Sequence, residues 1–199
     1  LKAAHDYQLF LGDLPGMFRN SLDGFPTRAG YLVADPQRTR KWRARLEALG
    51  PGPYIGISWQ GGTRATRRHL RSVNPMDWAP ILKLPGHHIS LQYGDCAADL
   101  AVFSQMGAIL HHWPEAIEDY EETAALVAAL DVVVTVCTAI VHLCGALGRV
   151  AHVLTPAQAE WRYLDRGMTL PWYSSVVLHR QDKSGTVSYT HLTLPTILL

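Results

Sequence analysis

The stretch that decides the fold reads Asp131-Val-Val-Val-Thr-Val-Cys-Thr-Ala-Ile-Val-His-Leu-Cys-Gly-Ala-Leu-Gly148. Its β-branched first part predicts a buried strand over residues 131–136. Thr138 stands where the N-cap of a helix is expected, and Gly148 follows the apolar run as a C-terminal glycine does, which predicts a helix over residues 138–147. Strand, sharp turn and helix in this order form the unit from which parallel α/β sheets are built.

The same alternation continues on both sides of this stretch. Asp35 and Pro36 predict the start of a helix that Gly50 ends, and Asn74 predicts the cap of another helix that reaches Lys83. Strands are predicted over 54–59, 88–92, 108–110 and 150–154, and further helices over 99–105 and 118–130. The sequence therefore predicts a Rossmann-like α/β fold, a parallel sheet with helices on both of its faces.

Three segments differ in character along the chain. Residues 1–33 have no sustained period and are interpreted as a linker or the remnant of an upstream domain. Residues 34–183 carry the predicted Rossmann-like domain. Residues 184–199 are interpreted as an anomalous, non-native tail and are left out of the fold prediction. The chain is therefore expected to be a fragment that is truncated at both ends.

Composition excludes several classes of protein. Of 199 residues, 48% are hydrophobic and 18% are charged, which is typical of a globular domain, and a net charge of +1 gives no reason to expect nucleic acid as a partner. No apolar run reaches the about 18 residues that a membrane span needs. Three cysteines are too few for a disulfide framework, so a cytoplasmic location is expected.

Several kinds of catalytic site are also disfavoured. The His87-His88 and His111-His112 pairs and the set Cys137, His142 and Cys144 lack the spacing of metal ligands, so no metal is expected. No G-x-S-x-G elbow supports a serine hydrolase, and no G-x-G-x-x-G opens a helix as a dinucleotide site would require.

The turn from strand to helix in the opening stretch is the first candidate binding site. Ligands of parallel sheets bind at the carboxyl ends of strands, where helix N-termini offer N–H groups to anions. Thr138 and Ala139 begin the helix, and His142 shares a face with Thr138 at i, i+4 spacing. The residues alone fit a phosphate site, and they fit equally a simple helix cap beside a core histidine.

The loop after the first strand is the second candidate. It concentrates Arg64, Arg67, Arg68 and Arg71 behind Gly61 and Gly62. Glycines let the backbone approach an anion, and guanidinium groups match phosphate oxygens, with Arg71 the strongest candidate of the four. The alternative is a solvated loop without a ligand.

These residues resemble a known family. The segment Val134-Thr-Val-Cys-Thr-Ala-Ile-Val-His-Leu-Cys-Gly-Ala-Leu-Gly148 is similar to the V-D-T-x-x-x-H-L-A-G-A-L-G signature of heptosyltransferase-like glycosyltransferases, and most similar to the form found behind tetratricopeptide repeats in bacterial proteins. Further matches are Ile55-Gly-Ile-Ser-Trp-Gln-Gly61, Leu70-Arg-Ser-Val73, Ser90-Leu-Gln92, Thr123-Ala-Ala-Leu126, Glu160-Trp-Arg162, Pro171-Trp-Tyr173 and Arg180-Gln181. Together they cover most of residues 31–182.

The resemblance implies the C-terminal half of a GT-B fold, which holds a nucleotide-diphosphate sugar as substrate without a metal or other cofactor. It implies that Thr138, Ala139 and His142 bind the diphosphate or sugar and that Arg71 stabilises the leaving nucleotide. It places four residues along the cleft, namely Gln60, Gly61, Gly62 and Gln92. Another domain would supply the catalytic base and bind the acceptor, a saccharide or a protein. The fragment alone is therefore expected to be inactive.

Two positions depart from the family pattern. Cys137 stands where an aspartate is common, and Ala139 stands where heptosyltransferases often have glycine. They support an alternative function, a non-catalytic interaction domain beside a repeat array that recruits a protein partner. Trp161, Arg162, Trp172 and Tyr173 also match the family, and they fit either a sugar-binding role or the anchoring of a loop.

Overall fold

The computed structural model describes residues 6–62, 65 and 68–181. Within this part the strands form one seven-stranded sheet, ordered β3-β2-β1-β4-β5-β7-β6. All neighbouring strands are parallel except β6 and β7, which are antiparallel. The strands are β1 Tyr54–Ser58, β2 His87–Ser90, β3 Leu110–His111, β4 Val132–Val136, β5 Ala151–Thr155, β6 Thr169–Leu170 and β7 Tyr173–Arg180. The predicted α/β class is confirmed.

Helices cover both faces of the sheet and enclose two apolar clusters. The helices are α1 Leu14–Phe18, α2 Pro36–Glu47, α3 Ala79–Leu82, α4 Ala97–Gln105, α5 Glu115–Glu118, α6 Tyr120–Ala129 and α7 Ala139–Leu147. On one face α3 and α4 pack on Ile57 and Val134, and on the other α2, α6 and α7 pack on Val133 and Val153. The alternation of side chains along each strand assigns them to these two faces.

Helix ends follow the predicted capping chemistry. The Asp35 carboxylate accepts hydrogen bonds from the backbone N–H groups of Gln37 at 2.7 Å and Arg38 at 2.9 Å. At the end of α7, Gly148 has a φ of 69°, the left-handed conformation that terminates helices. The start of α2 and the end of α7 are thereby explained.

Several elements differ from their predictions. The helix predicted after Asn74 is a 3-10 turn, Pro75–Trp78, followed by the short α3, because Pro80 has no N–H with which to continue an α-helix from residue 75. The helix predicted from residue 118 begins at Tyr120, where Asp119 caps it. The hairpin of β6 and β7 was not predicted, since residues 169–180 show no clean alternation.

Residues before the predicted domain boundary contact the domain. The backbone N–H groups of Tyr31 and Leu32 both donate to the Ala146 carbonyl, at 2.8 and 2.9 Å. Ser174 Oγ donates to the Arg28 carbonyl at 2.8 Å. Residues 28–32 thus pack on the end of α7 and on β7, whereas the boundary at residues 33 and 34 stays a prediction.

Two parts of the predictions lie outside the described residues, namely Arg64 and Arg67 of the basic loop and the tail over residues 184–199. Among the helices of the described part, none is long and apolar enough to cross a membrane.

Candidate functional site

The order of the strands places a crevice beside β1. The chain passes from β1 to β2 on one side, whereas β4 and β5 lie on the other side of β1. At such a reversal the loops that follow the two central strands diverge, and the crevice between them is the usual ligand site of open α/β sheets. Both candidate segments of the sequence, the loop after β1 and the turn between β4 and α7, lie here.

Gly61 is the point where the two candidate segments touch. A Cβ atom at this position would lie 2.9 Å from the Cys137 carbonyl oxygen, 2.9 Å from Thr138 Cγ2 and 3.2 Å from the Arg71 carbonyl oxygen. Only glycine fits that space without displacing backbone. The loop after β1 is therefore pressed against the start of α7, which brings Arg71 and Thr138 into one site.

The base of this loop is tied to the sheet. Gln60 and Ser72 form an isolated antiparallel bridge, and the Val73 N–H donates to the Trp59 carbonyl at 3.0 Å. The Gly62 N–H donates to the Tyr93 hydroxyl at 3.3 Å. These bonds hold the described part of the loop at the carboxyl edge of the sheet.

The start of α7 opens at the same edge. Thr138 is buried, and its hydroxyl accepts from the Ile140 N–H at 3.2 Å and lies 3.3 Å from the Thr135 hydroxyl. Ala139, the first residue of the helix, is exposed. The capping role of Thr138 is thus realised, and the positive end of the helix dipole faces the crevice.

Arg71 belongs to a cluster of charges that sequence spacing did not reveal. Its guanidinium Nη1 lies 3.1 Å from Glu160 Oε1, while Arg162 Nη2 lies 2.8 Å from Glu160 Oε2. The side chains of Arg71 and Glu160 are only 17% and 27% exposed. One carboxylate thus bridges two guanidinium groups, so the cluster keeps one net positive charge. In the sequence, only the family resemblance pointed to Glu160, as part of the matched segment Glu160-Trp-Arg162.

His142 lies one helical turn inside α7. Burial lowers the pKa of His142, the positive charge of Arg162 lowers it further, and Glu160 opposes the shift. The imidazole is therefore neutral at neutral pH, when one ring nitrogen donates and the other accepts. Its ring centroid lies 5.8 Å from that of Tyr173 and 6.4 Å from that of Tyr163.

Cys137 carries no charge at neutral pH. Its side chain is 3% exposed, and burial raises the pKa of the thiol to about 11. The thiol lies 3.9 Å from the Leu154 carbonyl oxygen. A buried neutral thiol thus occupies the position at which the family often has a carboxylate.

The two glutamines predicted along the cleft have structural partners. Gln92 is 3% exposed, and its side-chain Oε1 accepts from the backbone N–H groups of Trp59 and Gln60 at 3.0 and 2.9 Å. Gln60 bonds through its side chain to Asp99 and Arg68. Gln92 therefore lies behind the crevice, where it joins the ends of β1 and β2, and Gln60 holds the loop.

A cavity of about 590 Å³ adjoins His142. Trp161, Arg162, Trp172 and Tyr173 line it together with residues of the segment 11–19. These four side chains, for which the sequence left open sugar binding or loop anchoring, thus lie beside the predicted site residue His142. As to metals, the described residues contain no group of three or more His, Cys, Asp or Glu that could hold an ion.

Comparison with solved structures places this arrangement among known folds. A glycosyl transferase family 9 protein from Veillonella parvula matches with a TM-score of 0.56 at 13% identity, over 78% of this chain and 44% of that one. The ADP-heptose LPS heptosyltransferase II of E. coli matches with a TM-score of 0.52 at 16% identity, over 84% and 51%. The chain therefore has the α/β fold of about half of each of these two proteins, as expected for one half of a GT-B fold. At these identities the likeness is one of fold, and the chain spans about half of each neighbour.

Sequence comparison adds one relative. The chain is 36% identical over 176 residues to Protein FlbA of Caulobacter vibrioides, a match that covers 86% of the chain and 29% of FlbA. No family model matches the chain. The chain therefore corresponds to less than a third of this longer protein.

Proposed function

We propose that this chain is the nucleotide-sugar-binding domain of a glycosyltransferase. One observation carries the proposal: the start of α7, His142 and the bridged pair Arg71 and Arg162 converge beside the strand-order reversal. Helix N-termini and guanidinium groups are the partners that a diphosphate requires. The fold of the two glycosyltransferase neighbours agrees with this function.

In this proposal the donor diphosphate lies across the start of α7. The Ala139 end of the helix and the Arg71 guanidinium bind phosphate oxygens, and the neutral imidazole of His142 donates a hydrogen bond to the phosphate or to the sugar. Glu160 positions Arg71 and Arg162 because each of its carboxylate oxygens accepts from one of them. Arginine and helix dipole would neutralise the diphosphate without a metal or another cofactor.

The reaction would be a direct displacement with inversion. An acceptor hydroxyl oxygen bonds to the anomeric carbon while the bond from that carbon to the phosphate oxygen breaks, and the nucleoside diphosphate leaves with the electron pair. The hydroxyl proton passes to a base on a second domain, which would also bind the acceptor, a saccharide or a protein. Arg71 lowers the barrier by stabilising charge that develops on the leaving oxygen.

A second candidate function is a non-catalytic interaction domain beside a tetratricopeptide-repeat array, with a protein as its partner. The neutral Cys137 favours it, since a thiol with a pKa of about 11 supplies no carboxylate chemistry. The bridge from Arg71 to Glu160 also favours it, because an ion pair can serve stability alone. For either function we propose a cytoplasmic location, which the three free cysteines suggest.

Calorimetric titration of the purified chain with UDP-, GDP- and ADP-sugars separates the two functions. We expect one nucleotide to bind, and Arg71→Ala and His142→Ala each to weaken it roughly tenfold or more, since each removes a bond to a charged group. Arg45→Ala is the control, because Arg45 pairs with Glu115 at an exposed site. Absence of binding by every nucleotide would refute the donor site and favour the interaction domain.

A further inference from the structure

The cavity beside His142 has an aromatic corner. The rings of Trp161 and Trp172 meet edge to face, with centroids 5.9 Å apart and an interplanar angle of 81°. Trp172 Nε1 donates to the Arg162 carbonyl at 3.1 Å, which fixes that indole. Trp161 remains 63% exposed. A large aromatic face held open to solvent beside a fixed one suits a ligand with an apolar face.

The opposite wall of the cavity is aliphatic and aromatic. It consists of α1 and the residues before it, among them Leu11, Leu14 and Phe18. Leu11 and Phe18 are 83% and 63% exposed, so this wall is also incompletely covered. At about 590 Å³ the cavity lies within the range of small-molecule sites.

Charge in the cavity is of one sign. Its lining contains Arg19, Arg162 and His142, and neither aspartate nor glutamate is among the lining residues. Guanidinium groups only donate hydrogen bonds, and the neutral imidazole offers one donor and one acceptor. The cavity therefore suits a group attached to an anion.

Position connects the cavity to the proposed donor site. His142 lies one helical turn after Ala139 and lines the cavity, and Arg162, which also lines it, shares the Glu160 carboxylate with Arg71. The group bonded directly to a diphosphate at the start of α7 would reach this cavity. In a nucleotide-diphosphate sugar that group is the sugar ring.

We propose that the cavity receives the sugar ring of the donor and selects an N-acylated or deoxy sugar over a fully hydroxylated hexose. This inference rests on the proposed function. One face of the ring stacks on Trp161, and the acyl or deoxy methyl group lies against Leu14 and Phe18. The methyl group gains apolar contact with these side chains that a hydroxyl group does not.

Titration calorimetry on the chain tests this in two steps. Free UDP, GDP and ADP first identify the base that binds, and the N-acetylglucosamine and glucose conjugates of that nucleotide are then compared. We expect the N-acetylglucosamine conjugate to bind roughly fivefold to tenfold more tightly than the glucose conjugate. Phe18→Ala should remove most of this preference, Trp161→Ala should weaken the binding of both conjugates, and neither change should alter the affinity for the free nucleoside diphosphate.

Matched variants separate binding from folding. Phe18→Leu should keep most of the preference, because it retains an apolar side chain at this position. Ile109→Ala removes an apolar side chain that is 76% exposed near β3, at the far edge of the sheet, and should change nothing. Equal affinity for the two conjugates in the wild-type chain overturns the inference. So does an unchanged preference in Phe18→Ala, or an equal loss of affinity for free nucleotide and conjugates in Trp161→Ala. If no free nucleoside diphosphate binds, the proposed function itself fails, and the inference fails with it.

Discussion

Glu160→Gln offers a direct measure of the bridge between the two arginines. The change keeps the size of the side chain and removes the negative charge that Arg71 contacts at 3.1 Å and Arg162 at 2.8 Å. Arg71 is the more enclosed of the two guanidinium groups, at 17% exposure. Its positive charge would then lie largely out of water against a neutral amide.

The size of the effect follows from exposure. A hydrogen bond to a charged group contributes about 1.5–3 kcal/mol, and solvent screening of a carboxylate that is 27% exposed reduces this to about 1–2 kcal/mol. For a domain of this size each kcal/mol lowers the melting temperature by about 2–4 °C. Glu160→Gln should therefore lower the free energy of unfolding by about 1–2 kcal/mol near neutral pH.

Urea unfolding followed by circular dichroism measures the loss in free energy of unfolding, and Glu115→Gln is the control. Glu115 pairs with Arg45 at 2.6 Å, but both side chains are well exposed, at 57% and 43%. The control should lose no more than about 0.5 kcal/mol. Equal stability of the two variants would refute the claim that Glu160 holds Arg71 in a partly buried bridge.

Two further predictions concern Gly61, where the two candidate segments touch, and the imidazole of His142. Gly61→Ala should destabilise the chain by about 1–3 kcal/mol, because its Cβ would lie 2.9 Å from the Cys137 carbonyl oxygen. Gly12→Ala is the control and should not destabilise the chain, because a Cβ there would have nothing within 4 Å. Equal urea-unfolding midpoints for the two variants would contradict the close contact at Gly61. Burial lowers the pKa of His142 in the folded chain below its unfolded value of 6.5. The resulting contribution to stability is complete above pH 6.5, and it is lost as the pH falls from 6.5 through the folded pKa. Between about pH 7.5 and about pH 5.5 the wild-type chain should therefore lose more stability than His142→Gln, and parallel losses would exclude burial of the neutral imidazole.

The strongest sequence predictions were those with local causes. The helix that Asp35 caps and the strand and helix on either side of Thr138 were correctly placed to within a residue or two at most ends, because capping bonds and β-branched runs act between near neighbours. The hairpin of β6 and β7 was missed. The pairing of β7 with β5 and β6 depends on residues far along the chain, and the segment shows little pattern of its own.

For the candidate site, too, the sequence predicted some features and not others. Sequence alone identified Thr138, Ala139, His142 and Arg71 as residues that could meet an anion, and their roles in binding a donor stay predictions. It could not show that Gln92 is buried behind the crevice, since an amide on a strand end serves either role.

By itself, then, the sequence determined the alternation of strands and helices and the positions of their caps, since both depend on contacts within a few residues. The tertiary structure alone decided that Glu160 bridges Arg71 and Arg162, and that Trp161 and Trp172 form a cavity beside His142. Arg71 and Glu160 are 89 positions apart. Only the order of the strands in the sheet brings such distant residues to the same edge, because parallel strands end together regardless of their separation in the chain.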